Sequence, residues 1–278
     1  MLIVDAQIHL WSGAVPAKLP QHRQVEAFLA AEARVGMEEA GVDAAIIHPP
    51  SWDAHANELA IAAAAEHPGR FAILGSLPLD QASSRERVAS WKQQPGMVGL
   101  RYSFNSLDGP TTWFTDGTAD WLWPAAEAAG VPVAILAGGS LWKAAEVAER
   151  HPGLRLLIDH LGAGPGFAGP KIWEQLPELI ALAKYPNIAV KATGAPSYAT
   201  EPYPFRDIHE PLQRVFDAFG PRRLFWGTDI TRMKCSWTQC LTLFTEELPW
   251  LSGEAKELVM GRALCDWLDW QPDAAAVR

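Results

Sequence analysis

A single (β/α)8 barrel is the fold that this 278-residue chain predicts, and three observations predict it. Short apolar runs recur along the whole chain, each followed by a loop or an alanine- and glutamate-rich stretch of helical period. There are eight such runs, in a length near the ~250 residues of a TIM barrel. No shift of composition or long linker divides them, so the chain reads as one domain over residues 1–278. Continuous apolar strands joined by helices call for a parallel sheet covered on its outer face, and eight such units favour closure. An open doubly wound sheet is the alternative, and the lack of Gly-x-Gly-x-x-Gly after the first run weakens its dinucleotide-binding form.

The first run, LIVDAQIHL (2–10), alternates: Asp5, Gln7 and His9 fall on one face, and Leu2, Val4, Ile8 and Leu10 on the other. A helix is expected over 25–41, then the second run, DAAIIH (43–48), and a helix over 55–69. The third and fourth runs are FAILGSL (71–77) and MVGLRYS (97–103), with a helical stretch at 118–130 before the fifth, VPVAILA (131–137). A helix over 141–153 precedes LRLLIDH (154–160), and NIAVKAT (187–193) and RLFWGTD (223–229) complete the set. Several helical stretches close at a glycine, as helix C-termini prefer. The segments 104–117 and 194–206, rich in Gly, Pro and aromatics, follow strands and belong over the barrel mouth.

Composition limits the partners. The net charge is −9 with basic residues scattered, which argues against nucleic acid. No apolar run approaches the ~20 residues that span a membrane, and the first residues lack the pattern of a signal peptide. A cytoplasmic protein with a small ligand is expected, and a homo-oligomer is compatible with the sequence. The three cysteines, Cys235, Cys240 and Cys265, match no metal or disulfide spacing and read as free thiols.

The strand ends carry the chemistry. His48 ends the second run, Arg101 and Ser103 lie at the end of the fourth, Asp159-His160 ends the sixth, Lys191 lies late in the seventh, and Asp229 ends the eighth. In a barrel these ends converge with Gln7 and His9 on one mouth. Arg101 has the planar fork that clamps a carboxylate, so the substrate expected is a small anion; the structural alternative is an ion pair with an acidic neighbour such as Asp5. Tyr198 and Arg232 sit in loops that reach the same mouth, and Trp11, Trp52, Trp113 and Trp226 stand where they would wall a pocket. There is no Gly-x-Ser-x-Gly elbow.

At these residues the chain resembles the amidohydrolase superfamily, in the branch of lactone hydrolases that includes 2-pyrone-4,6-dicarboxylate lactonase and L-fuconolactonase. DAQIHLW at the start, LLIDHLG at 156–162, FWGTD at 225–229 and the closing VMGRALCDWL carry the resemblance. It implies hydrolysis of a lactone or related cyclic ester, with Asp229 as the base that takes a proton from water and His9 and His160 on the carbonyl oxygen or on a metal. Gln7 stands where the superfamily has the first histidine of a His-x-His pair, and an amide is a weak ligand for zinc. The resemblance therefore implies either no cofactor or one divalent metal, zinc or manganese, on His9, His160 and Asp229. A lyase or isomerase, and a catalytically silent barrel, are the other function classes that fit.

Overall fold

A computed structural model describes residues 1–13, 15–16, 22–104, 111–163 and 169–273 of the chain. Every expected run forms a parallel strand: Val4–Ile8, Ala44–Ile47, Phe71–Gly75, Met97–Ser103, Val133–Leu136, Leu156–Ile158, Ile188–Lys191 and Leu224–Phe225. Each pairs with the next in chain order. The seam between last and first is joined by Ala6 N–H to Trp226 O (3.2 Å) and Asp229 N–H to Gln7 O (2.9 Å). Gly227 lies in that seam because nothing larger fits: a Cβ there would stand 2.6 Å from Thr193 Cγ2 and 2.9 Å from Ala6 N.

The strands are apolar on both faces, as a helix-covered parallel sheet requires. Inside, Ala6, Ala44, Ala72, Ala134 and Ala189 pack with Leu157 and Phe225. Outside, branched residues such as Ile47, Ile73, Val133, Ile158 and Val190 meet the helices. The helix Leu141–Arg150 shows how: it buries Leu141, Ala144, Val147 and Ala148, a stripe of helical period, and each such leucine or valine contributes ~1.5–3 kcal/mol. Leu264 and Leu268 of the helix Ala263–Leu268 join the inner cluster. Gly261, before that helix, approaches the first strand so closely that a Cβ would lie 2.9 Å from Val4 N, which is why the closing motif carries a glycine there.

Two local expectations are corrected. Residues 27–28 do not begin a helix: Ala27–Phe28 pairs antiparallel with Trp11–Ser12, and the helix runs Ala30–Ala40 with Glu32 Oε2 accepting from Leu29 N–H at 2.8 Å. Gly41 and Gly130 cap their helices with left-handed φ of 78° and 61°, whereas the helices expected to reach Gly69 and Gly153 stop at Glu66 and Arg150. Of the segment 104–117, residues 105–110 lie outside the described residues. Among the described residues no helix is long and apolar enough to cross a membrane.

The first strand departs from simple alternation, and this sets the site. Its register runs Val4 to Ala44, Asp5 to Ala45 and Ile8 to Ile47, so Ala6 and Gln7 together face the single Ile46. This is a β-bulge. Asp5 therefore does not share a face with Gln7 and His9. It meets the helix Trp237–Thr242, where Trp237 Nε1 donates to Oδ2 at 3.0 Å, while Gln7 reaches Lys191 inside the barrel.

Candidate active site

The strand ends do converge, and they form two layers. The lower layer is a buried cation network. Lys191 has no exposed surface; its ammonium forms an ion pair with Asp159 Oδ1 (2.7 Å), donates to Gln7 Oε1 (2.9 Å) and lies 3.3 Å from His48 Nε2. Arg101 Nε holds the other oxygen of Asp159 at 3.0 Å. Asp159, not Asp5, is thus the acidic partner of Arg101. Burial alone would push the Asp159 carboxyl up; the Lys191 and Arg101 cations outweigh it and hold the group well below the usual carboxylate range. Burial, reinforced by Lys191, keeps His48 neutral.

The upper layer centres on Asp229. Both Asp229 and His160 take left-handed backbone (φ 53° each), a conformation that costs about 1–3 kcal/mol per residue and turns each side chain sharply off its strand. Asp229 Oδ2 accepts from Arg232 Nε at 2.6 Å. Oδ1 is buried without a hydrogen-bond partner and lies 3.3 Å from His9 Nε2. His9 Nδ1 donates to His48 O at 2.7 Å, so Nε2 is the ring nitrogen that faces the carboxylate. A proton or a cation belongs in that gap. Burial would raise the Asp229 carboxyl, but His9 and Arg232 hold it ionised, well below its ordinary value.

His22 completes this group. It comes from the loop after the first strand, is 7% exposed, and its Nδ1 meets Thr231 Oγ1 at 2.9 Å. His9, His22 and Asp229 each offer one ligand atom, all within 4.8 Å of one another. Two imidazoles and a carboxylate suit zinc or manganese, so these residues fit a divalent cation. Sequence reasoning passed over His22; the available signal was a histidine in a loop on the strand C-terminal face, where barrel sites are built.

His160 has the opposite surroundings. Gln7 Nε2 lies 3.1 Å from its Nε2, and Arg232 Nη2 3.1 Å from its Nδ1, which also touches Thr193 Oγ1 at 2.8 Å. Its Nε2 is 3.7 Å from Asp229 Oδ2. Nδ1 also lies 3.2 Å from Thr193 O, an acceptor for its proton, which leaves Nε2 to accept from Gln7; burial together with the Arg232 cation pushes the ring down to about 3. Both nitrogens are engaged within the protein, so His160 orders Gln7 and Arg232.

Access divides the expected substrate contacts. Arg101 and Arg232 reach the mouth with side chains 11% and 15% exposed. Arg101 also lines a cavity of about 360 Å³ with Pro49, Ser76, Tyr102 and Trp113 between the loops after the second, third and fourth strands. Gln7, His48 and Lys191 lie beneath the mouth with no exposed surface, and Ser103 is 2% exposed at the end of its strand. Tyr198, expected in a ligand-facing loop, is 1% exposed and donates to His160 O at 3.3 Å, pinning the segment 194–206. Trp11 is fully buried with Nε1 on Val25 O, and Trp226 places its Nε1 on Cys240 O, so both are packing residues. Trp52 packs with tilted ring planes beside His9 and His22, at centroid distances of 5.7 and 5.1 Å.

Comparison with known proteins gives the family and the fold. The chain is 29% identical over 163 residues to an L-fucono-1,5-lactonase from Burkholderia ambifaria, an alignment covering 57% of this chain and 54% of that protein, so it spans about half the length of that relative. A crystal structure of an amidohydrolase from Burkholderia multivorans with bound zinc superposes with a TM-score of 0.80 at 21% identity, over 97% of this chain and 100% of the other. A probable 2-pyrone-4,6-dicarboxylic acid hydrolase from Acinetobacter baumannii with citric acid bound gives 0.76 at 15% identity, over 97% of this chain and 100% of that one. Both structural matches show the shared barrel. The amidohydrolase family model matches residues 4–274, and the chain belongs to that family.

Proposed function

We propose that this chain hydrolyses the ring ester of a small anionic lactone. The observation that carries the reading is the unpartnered, buried Oδ1 of an ionised Asp229, set at the mouth between an imidazole and a guanidinium. Asp229 Oδ1 takes the proton of the attacking water while Oδ2, held by Arg232 Nε, keeps the carboxylate aimed. Arg232 Nη1, which has no hydrogen-bond partner among the described residues, supplies a donor to the oxygen on which charge develops. Arg101, held in place by Asp159, binds the substrate carboxylate from the cavity wall. A divalent cation on the His9 cluster, when bound, supplies Lewis acidity toward carbonyl or water. The fuconolactonase relative supports a ring ester as the bond opened.

A panel of carboxylated and neutral lactones assayed by acid release tests this. Turnover of a carboxylated lactone without release of carbon dioxide is expected, with Asp229→Asn slower by at least the ~100-fold typical of a lost general base while the fold is kept. Carbon dioxide release would make the chain a lyase. Near-normal turnover of Asp229→Asn would move the base elsewhere.

A further inference from the structure

We infer that this chain binds a divalent cation through His9, His22 and Asp229, with His22 filling the position that the motif pattern gives to His160, and with Gln7 as the residue that excludes His160. Three features of the mouth carry this.

The donors have the right spacing. His9 Nε2 and Asp229 Oδ1 are 3.3 Å apart, which is about the edge of a tetrahedron with bonds of ~2.0–2.1 Å. His22 brings the third ligand atom within 4.8 Å of both, leaving an open position as in hydrolytic zinc sites. Each donor is also oriented from behind. His9 Nδ1 is fixed by His48 O (2.7 Å), His22 Nδ1 by Thr231 Oγ1 (2.9 Å) and Asp229 Oδ2 by Arg232 Nε (2.6 Å), which leaves the second atom of each as the ligand atom, with the Gln7 amide 3.4 Å from His9 Nε2. Metal ligands characteristically have such partners, which set the tautomer and aim the lone pair.

His160 lacks this freedom, for a reason readable in Gln7. Lys191 is a pure donor, so the Gln7 oxygen, 2.9 Å away, must face it. The amide NH2 then points at the imidazoles, 3.1 Å from His160 Nε2. It occupies the lone pair that a metal would need, and its partial positive charge repels a cation there. His9 Nε2 is farther from the same amide (3.4 Å) than from Asp229 Oδ1 (3.3 Å). A neutral link tied to a buried ammonium thus closes one ligand direction and leaves the opposite side, toward His22, as the place for the ion.

The test is binding to chelator-stripped protein, measured with zinc against a competing chromophoric chelator and with cobalt by its visible absorption. Wild type should bind one equivalent. His22→Gln should weaken binding by more than the ~10- to 100-fold that loss of an outer partner costs, while His160→Gln stays within a few-fold, each checked for fold by circular dichroism. If His22→Gln does not fold, Thr231→Val, which removes only the orienting hydroxyl, should weaken binding by ~10-fold or more. Absence of wild-type binding, unchanged affinity in both the His22 and Thr231 variants, or loss in His160→Gln alone would overturn the assignment. The readout needs no turnover. Lactone hydrolysis without metal binding would sink this inference and leave the proposed function; binding without hydrolysis would do the reverse.

Discussion

Acidification from pH 6 to pH 5 should destabilise the metal-free protein steeply, and the site geometry sets the size. Burial pushes His22 down to about 4 and His160 to about 3, and it lowers His48 well below its ordinary 6.5. In this window all three stay neutral when folded but are mostly protonated when unfolded, so the unfolded chain gains nearly three protons. Asp5 works the other way. Its carboxyl, raised by burial from 3.8 to about 6 despite bonds from Thr228, Gln7 and Trp237, takes up a proton in the folded state while the unfolded group stays ionised. The unfolded state therefore binds roughly two more protons, and at about 1.4 kcal/mol per proton per pH unit stability falls by ~2–3 kcal/mol. At roughly 2 °C per kcal/mol for a chain of this size, the melting temperature should drop by about 5 °C. Differential scanning fluorimetry in chelator at constant ionic strength measures it. A melting temperature that is flat or rises on going from pH 6 to 5 would show that these imidazoles are not held neutral.

Other outcomes follow from single contacts. Asp5→Asn should cost ~1–3 kcal/mol although it removes a buried charge, because Asp5 Oδ2 accepts from both Thr228 Oγ1 and Trp237 Nε1 and an amide NH2 cannot; a higher melting temperature in chemical and thermal unfolding would contradict this. Arg101→Met should raise KM steeply for a carboxylated lactone and little for its neutral amide, since Asp159 keeps Lys191 at 2.7 Å; equal losses on both substrates would leave Arg101 a structural partner only.

The barrel was legible because its signal is redundant. Eight runs apolar on both faces need helices on one side and closure on the other, and an error of a residue or two at any end changes nothing. The site was legible only where it depends on strand ends. Asp229, His9 and Arg101 stand at the mouth because the chain direction puts them there. Asp5 was misplaced because a bulge adds one residue to the first strand, and alternation read from sequence carries no trace of an insertion that the partner strand lacks. The helix start at 25 failed for a related reason: Ala27–Phe28 is claimed by pairing with Trp11–Ser12, a tertiary demand that outweighs helical period. His22 lay in a loop, where no periodicity marks a ligand.

Gln7 links the two layers, and its chemistry explains how they can differ. An amide offers an acceptor at one end and a donor at the other, and it does not titrate. Its oxygen accepts from Lys191, and its nitrogen faces His160 and His9. The two buried carboxylates are thereby kept apart, each with its own cations: Asp159 with Lys191 and Arg101, and Asp229 with Arg232. A titrating imidazole at position 7 would let a proton pass between the layers; the amide does not. In the proposed reaction Asp229 would take a proton from water while Asp159 stays ionised and Arg101 stays placed, so the proposed clamp on the anion would not change as that reaction proceeds.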